Sequence, residues 1–137
     1  MNKPNLQIQT DIEHLIRYFA YLNDQKQYET LINLFSEDST YARPSLPDVI
    51  LSGKTEILDS FVNRIQKHTQ HVVANILIDQ QTPDLVIAHS QIILYNGNDH
   101  QNIEMMVIGG FNDEIILDNQ YWKFKKRRGF INFTHKF

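Results

Sequence analysis

A chain of 137 residues with 42% hydrophobic residues, eight Phe, six Tyr and one Trp is long enough for one well-buried core and too short for two ordinary domains. Its net charge of -3 gives no general attraction to nucleic acid or to an anionic membrane, and the absence of cysteine excludes disulfides, thiolate catalysis and cysteine-ligated metals. The first ten residues, MNKPNLQIQT, hold no apolar core of the kind a signal peptide needs, and no later run is apolar enough to span a membrane. The expectation is a cytoplasmic, soluble, single domain over residues 1–137, with residues 1–9 as a loose tail.

Thr10-Asp11-Ile12-Glu13 fits a capping box and predicts a helix starting there, with Ile12, Leu15, Ile16, Phe19 and Leu22 as its apolar stripe. Asn23-Asp24-Gln25-Lys26 breaks it. A second helix is expected to bury Tyr28, Leu31, Ile32 and Phe35 and to close at Ser36-Glu37-Asp38. A short strand over residues 39–43 ends at Pro44, followed by a loop with a brief extended piece at 49–51. Gly53-Lys54-Thr55 opens a third helix with Ile57, Leu58, Phe61, Val62 and Ile65 as its stripe, ending near His68. Strands are expected at about 69–79, 85–95, 103–117 and 121–133, joined by turn sequences such as Asn96-Gly97-Asn98-Asp99. Three helices followed by long, sequentially connected strands predict an α+β fold with an antiparallel, strongly curved sheet, in which Gly109-Gly110 marks a bend or bulge.

The stretch from Lys67 to Asp79 carries the functional lead. Strand alternation puts His71, Val73, Asn75 and Leu77 on one face and Val72, Ala74, Ile76 and Ile78 on the other. An imidazole and an amide among apolar neighbours suit a pocket wall. If His71 points inward, the wholly apolar face points outward, and a covering second copy of the chain is expected.

The order of these elements resembles the SnoaL-like branch of the nuclear transport factor 2-like superfamily. The resemblance spans residues 10–133 and rests on the helix-turn-helix Leu22-Asn23-Asp24-Gln25-Lys26-Gln27-Tyr28-Glu29-Thr30-Leu31, on Leu34-Phe35-Ser36-Glu37-Asp38-Ser39, and on Gly53-Lys54-Thr55-Glu56-Ile57. Thr69-Gln70-His71, Phe111-Asn112-Asp113, and Trp122-Lys123-Phe124 ahead of Arg127-Arg128 complete it. It implies a cone-shaped domain in which three N-terminal helices close a bent sheet around an apolar cavity, and dimers formed through the outer face of the sheet. Family members include scytalone dehydratase, polyketide cyclases and steroid isomerases, which work without a cofactor.

On that resemblance, the catalytic aspartate-histidine pair of scytalone dehydratase falls on Asp24 and His71, and a pocket tyrosine falls on Tyr41. The tyrosine before the aspartate is replaced by Asn23, and the second catalytic histidine by Tyr95. A carboxylate bonded to one ring nitrogen fixes the imidazole tautomer and leaves the other nitrogen as a base for a proton next to a carbonyl. Equally, Asp24 suits a helix-end cap and His71 a hydrogen-bonded wall residue. Asn75, His89 and Tyr95 are candidate substrate-binding residues, since amide and phenol groups hold an oxyanion without ionising. The implied function is a small lyase or isomerase acting on a hydrophobic carbonyl compound in the cone; the alternative is a non-catalytic binding or accessory domain.

Three further patterns lead elsewhere and are set aside. His68 and His71 lie on opposite strand faces, so no metal site is expected. Gly53-Lys54-Thr55 lacks the glycine of a phosphate loop, having Asp48 at that position. The basic run at residues 123–128 reads as a solvated last strand rather than a nucleic-acid contact, because alternation spreads its charges over two faces.

Overall fold

A computed structural model describes all 137 residues, Met1–Phe137. The first helix, α1, runs Leu6–Asp24. It starts four residues before the predicted capping box because Asn5 is itself an N-cap, its side chain accepting from the Ile8 amide at 2.9 Å. Four of the nine residues expected to form a loose tail are therefore helix. Ahead of it, Pro4 is buried, the Asn2 amide donates to Asp79 at 2.6 Å and the Asn2 carbonyl accepts from the Gln80 amide at 2.8 Å.

The second helix is a single turn, α2 (Tyr28–Leu31), continued by a 3-10 turn over Ile32–Leu34. Phe35, predicted to end that helix, already belongs to strand β1 (Phe35–Ala42), where it pairs with Phe124 and is fully buried. The polar Ser36-Glu37-Asp38 thus lies within a strand, long-range pairing having overridden the local helical pattern. After the two-residue strand β2 (Leu51–Ser52), helix α3 (Lys54–Val62) begins at Gly53, whose φ of 85° suits glycine. It stops short of the expected end, leaving Val62 and Ile65 52% and 88% exposed. The apolar period continues past α3, but no packing surface meets it.

Four long strands follow: β3 (His68–Thr82), β4 (Leu85–Gly97), β5 (Met105–Asp118) and β6 (Tyr121–Lys136). The sheet order is β2-β1-β6-β5-β4-β3, antiparallel throughout except for the parallel pair β1 and β6. Gly109 sits at a register shift between β5 and β6, where an added Cβ would lie 2.0 Å from the Phe130 carbonyl oxygen. That is the bend foreseen at Gly109-Gly110. The whole is an α+β fold, with helices on the inner face of a curved six-stranded sheet.

A bulge in β3 corrects the expected face assignment. Ala74 pairs with Gln91 and Leu77 with His89, so three steps on β3 meet two on β4, and Asn75 takes up the extra residue at φ 52°. Asparagine tolerates this left-handed conformation better than most residues. Alternation inverts across it. His71 and Val73 face inward before the bulge, Ile76 and Ile78 after it, while Val72, Ala74 and Leu77 face outward.

The interior is aromatic and closely filled. Phe19 of α1 lies at its centre, with the rings of Phe35, Tyr41, Phe61, Phe111 and Phe124 at 5.8–6.1 Å, mostly edge-on. Such geometry matches the preferred arrangement of ring quadrupoles. The centre of the apolar cone implied by the family resemblance is thus occupied by side chains, and three hollows open at the surface of the molecule.

Candidate active site

Asp24 is the last residue of α1, and His71 lies three residues into β3. The break after α1 turns the chain toward the edge strand of the sheet, so the helix end and the strand start meet. Asp24 Oδ1 accepts from Thr69 Oγ at 2.9 Å and lies 2.6 Å from His71 Nδ1; Oδ2 accepts from the His71 backbone amide at 2.8 Å. Three donors from one short stretch of β3 therefore hold one carboxylate. Because a carboxylate only accepts, His71 Nδ1 carries the hydrogen, and in the neutral imidazole Nε2 keeps the free lone pair. The carboxylate also receives the His71 amide, which fixes the backbone as well as the ring. Both side chains are largely covered, His71 with 10% and Asp24 with 13% of their surface exposed.

They open on a surface cleft of about 450 Å³ between α1 and β3. Arg17, Tyr21 and Gln25 line its helix side, and Gln70, His71 and Val73 its strand side. A second cleft of about 690 Å³ adjoins it, sharing Asp24, Gln25, Thr69 and Gln70, and reaches Tyr95, His68 and His100.

The other predicted site residues lie elsewhere. Tyr41 is in the core, 5.4 Å from the Phe61 ring, and burial pushes its phenol up to about 12 against the opposing pull of Arg127. It does not line the cleft. Asn75 sits at the β3 bulge on the outer face, its amide donating to Gln91 Oε1. His89 is also on the outer face, with Nδ1 2.7 Å from Asn112 Oδ1 and its ring parallel to that of Phe130 at 5.8 Å. Tyr95 pairs with Gln70, faces outward with it, and lines the second cleft. His71 faces inward, but Asn75 is turned away by the bulge, and the β3–β4 register sets Tyr95 and His89 opposite outward residues of β3. No group of three or more His, Asp or Glu side chains is placed to hold a metal ion, and the His68 ring instead packs on that of His100 at 3.7 Å.

Two polar arrangements escaped sequence reasoning. Arg127, assigned to a solvated strand, is 1% exposed; its Nη1 donates to Asp113 Oδ2 at 2.7 Å, and its guanidinium lies 3.7–4.3 Å from the ring centroids of Phe19, Phe111 and Phe124. A register shift places Phe124 opposite Ile115 and Lys126 opposite Glu114, leaving Lys125 over, so Phe124 and Arg127 share the inner face although three apart. Burial pushes the Asp113 carboxyl up to about 6, with Arg127 pulling the other way. The second is Arg64, which donates to the buried Asn23 Oδ1 and stacks on the Phe61 ring at 4.9 Å. It ties the segment after α3 to the residue beside Asp24. A lone arginine after a helix gives no sequence signal for this.

A family profile described as a SnoaL-like domain matches residues 4–128. No curated protein sequence matches the chain. Among solved structures, a candidate scytalone dehydratase of Novosphingobium aromaticivorans DSM 12444 is similar with a TM-score of 0.83 and 22% identity, over 97% of this chain and 89% of that one. The type 2 hexachlorocyclohexane dehydrochlorinase LinA gives 0.85 and 18%, over 96% and 90%. A Nostoc punctiforme PCC 73102 protein of unknown function with a cystatin-like fold gives 0.76 and 20%, over 96% of each chain. At these identities the likeness is one of fold.

Proposed function

We propose, on the premise that this chain belongs to the SnoaL-like domain family, that it is a small cofactor-independent lyase or isomerase acting on a carbonyl compound bound in the cleft beside His71. The single observation that supports this is the Asp24–His71 contact, with Nδ1 2.6 Å from a carboxylate oxygen and Nε2 the one ring nitrogen left for a ligand. Nε2 removes the proton from the carbon next to the carbonyl, and Asp24 stabilises the imidazolium that results. The proton then returns to a departing hydroxyl, giving a dehydration, or to another carbon, giving an isomerisation. Tyr41, buried away from the cleft, has no part in this scheme. The similarity of fold to a candidate scytalone dehydratase and to a dehydrochlorinase agrees with elimination chemistry.

The test is hydrogen-deuterium exchange, followed by proton NMR, at the carbon next to the carbonyl in a panel of small ketones, keto acids and keto esters in D₂O. Enzyme-dependent exchange that disappears in His71→Ala, with the fold intact, is the expected result. Exchange that persists in the variant, or that no compound shows, overturns the proposal. Asp24 also accepts from the Thr69 hydroxyl and the His71 backbone amide, as a purely structural carboxylate does, which favours a second reading, a binding domain without chemistry; there, ligand binding survives in His71→Ala and no compound exchanges.

The outer sheet face supports a further assignment, a homodimer packed sheet to sheet. Val72 pairs with Ile93, Ile93 with Ile108 and Ile108 with Phe133, an apolar row in register across four strands. Val72 is 48% and Phe133 68% exposed in the single chain. A partner sheet removes that apolar surface from water.

A further inference from the structure

We infer that the cleft beside His71 takes an organic anion, a small carboxylate-bearing compound whose charge is met by Arg17. The inference rests on the reading of His71 as the acting base and names the class of molecule it acts on. Phe19 and the rings around it occupy the centre of the cone, so apolar ligand surface has to be met at the cleft itself. A ligand reaching His71 must be matched by the cleft walls, and only three of the nine residues lining it are hydrophobic.

Arg17 is the one arginine or lysine of the cleft, and Asp24 its one carboxylate. Both oxygens of Asp24 are already engaged by Thr69 and His71. With the Asp24 oxygens held inside the site, Arg17 is the charged group of the cleft that an incoming ligand can engage. The present partner of Arg17 is Glu13, one turn earlier on the same helix, at 3.3 Å and with the Arg17 side chain 55% exposed. Such an exposed pair contributes little, so a ligand carboxylate competes with it readily. The guanidinium fork matches a carboxylate with two parallel hydrogen bonds.

Arg17, Tyr21 and Asp24 stand at i, i+4 and i+7 and share one face of α1. Arg17 and Asp24 are thus about 10 Å apart along the helix axis; the Arg17 side chain now reaches back to Glu13, and a guanidinium released from that pair can swing toward the dyad. A compound bearing a carboxylate and, a few bonds away, a ketone fits between Arg17 and His71, with the Gln25 amide beside it to hold the ketone oxygen.

The experiment is a binding titration at low salt, read by NMR on the Arg17 Nε–H and the His71 imidazole, with 4-oxopentanoate against its neutral amide. The keto acid is expected to bind at least tenfold more tightly than the amide and to move both signals. Arg17→Gln, an exposed substitution whose fold is checked by circular dichroism, removes that preference, and Arg17→Lys retains part of it. Equal binding of acid and amide, no binding of either, or a preference unchanged in Arg17→Gln overturns the inference. Failure of the catalytic reading looks different: the acid binds in an Arg17-dependent way, in the wild type and in His71→Ala alike, yet no deuterium exchanges.

Discussion

Arg127 and Asp113 form an ion pair at 2.7 Å in the middle of an aromatic core, the guanidinium centred 3.7 Å from the Phe111 ring. One hydrogen bond joins them, since Arg127 Nε and Asp113 Oδ1 have no partner in the protein. The two sides differ in how they respond to losing the other. A carboxyl in an apolar setting neutralises by taking up a proton; a guanidinium does not neutralise. Asp113→Asn, which strands a permanent charge, is therefore expected to destabilise by about 3–5 kcal/mol. Arg127→Met, which leaves a group able to become neutral and keeps contact with the rings, is expected to cost less. Denaturant unfolding of both variants at pH 7 checks the order, and equal losses would contradict it.

The same pair gives a pH dependence with a definite sign. The folded-state carboxyl of Asp113 is pushed up to about 6 by burial, from an ordinary 3.8. Between those values the folded chain holds a proton that the unfolded chain has released. This group's contribution to stability is therefore largest below about pH 4, declines as pH rises toward 6, and is flat above. Asp38 and Asp99 act in the opposite sense, since Lys125 beside the first and backbone amides around the second lower their carboxyls. The readout must be specific to Asp113: its side-chain carboxyl carbon should titrate by NMR near pH 6, and higher still in Arg127→Met. A midpoint near 4 in the folded protein would refute the account.

Local pattern made the scaffold legible but left the contents of its inner face obscure. The stripe of α1, the four long strands and the bend at Gly109 follow from periodicity and turn chemistry, which act within a few residues. The Asp24–His71 contact joins positions 47 residues apart and was reached through family resemblance, not periodicity. What the alternation rule missed, it missed at bulges. Asn75 inverts the faces of β3 and Lys125 shifts those of β6, so Ile76 and Ile78 turn inward and Arg127 turns into the core. A bulge is one extra residue in a pairing, and pairing is invisible in a single strand. The occupied centre of the cone escaped for a related reason: no one segment reveals that Phe19, Phe35, Phe61, Phe111 and Phe124 converge.

The dyad predicts that shape and charge at Asp24 separate. Asp24→Asn preserves size but replaces one acceptor oxygen by a donor, against a site where Thr69 Oγ, His71 Nδ1 and the His71 amide all point at the carboxylate. Leaving one such partly buried donor unmatched costs about 1–3 kcal/mol. It also removes the preference for the Nδ1–H tautomer of His71. Imidazole nitrogen NMR is expected to show Nδ1–H in the wild type and a shift toward Nε2–H in the variant, alongside a lower unfolding midpoint. An unchanged tautomer would mean that the carboxylate does not orient the ring.

The outer face offers the last test, in which fold and assembly come apart. Val72 stands at one end of the row Val72-Ile93-Ile108-Phe133, 48% exposed in the single chain, so a charge there disturbs no interior packing. Between two facing sheets, however, the charge loses its water with no counter-ion to receive it. Val72→Glu is thus expected to sediment as a monomer at concentrations where the wild type is a dimer, with its circular dichroism unchanged. His71 precedes Val72 on β3 and faces the other way, so proton exchange by the variant should stay within a factor of about three, a difference of only about 0.7 kcal/mol in barrier. A wild type that sediments as a monomer, or a variant that still pairs, would reject the sheet-to-sheet assembly, and neither outcome bears on the chemistry of the inner face.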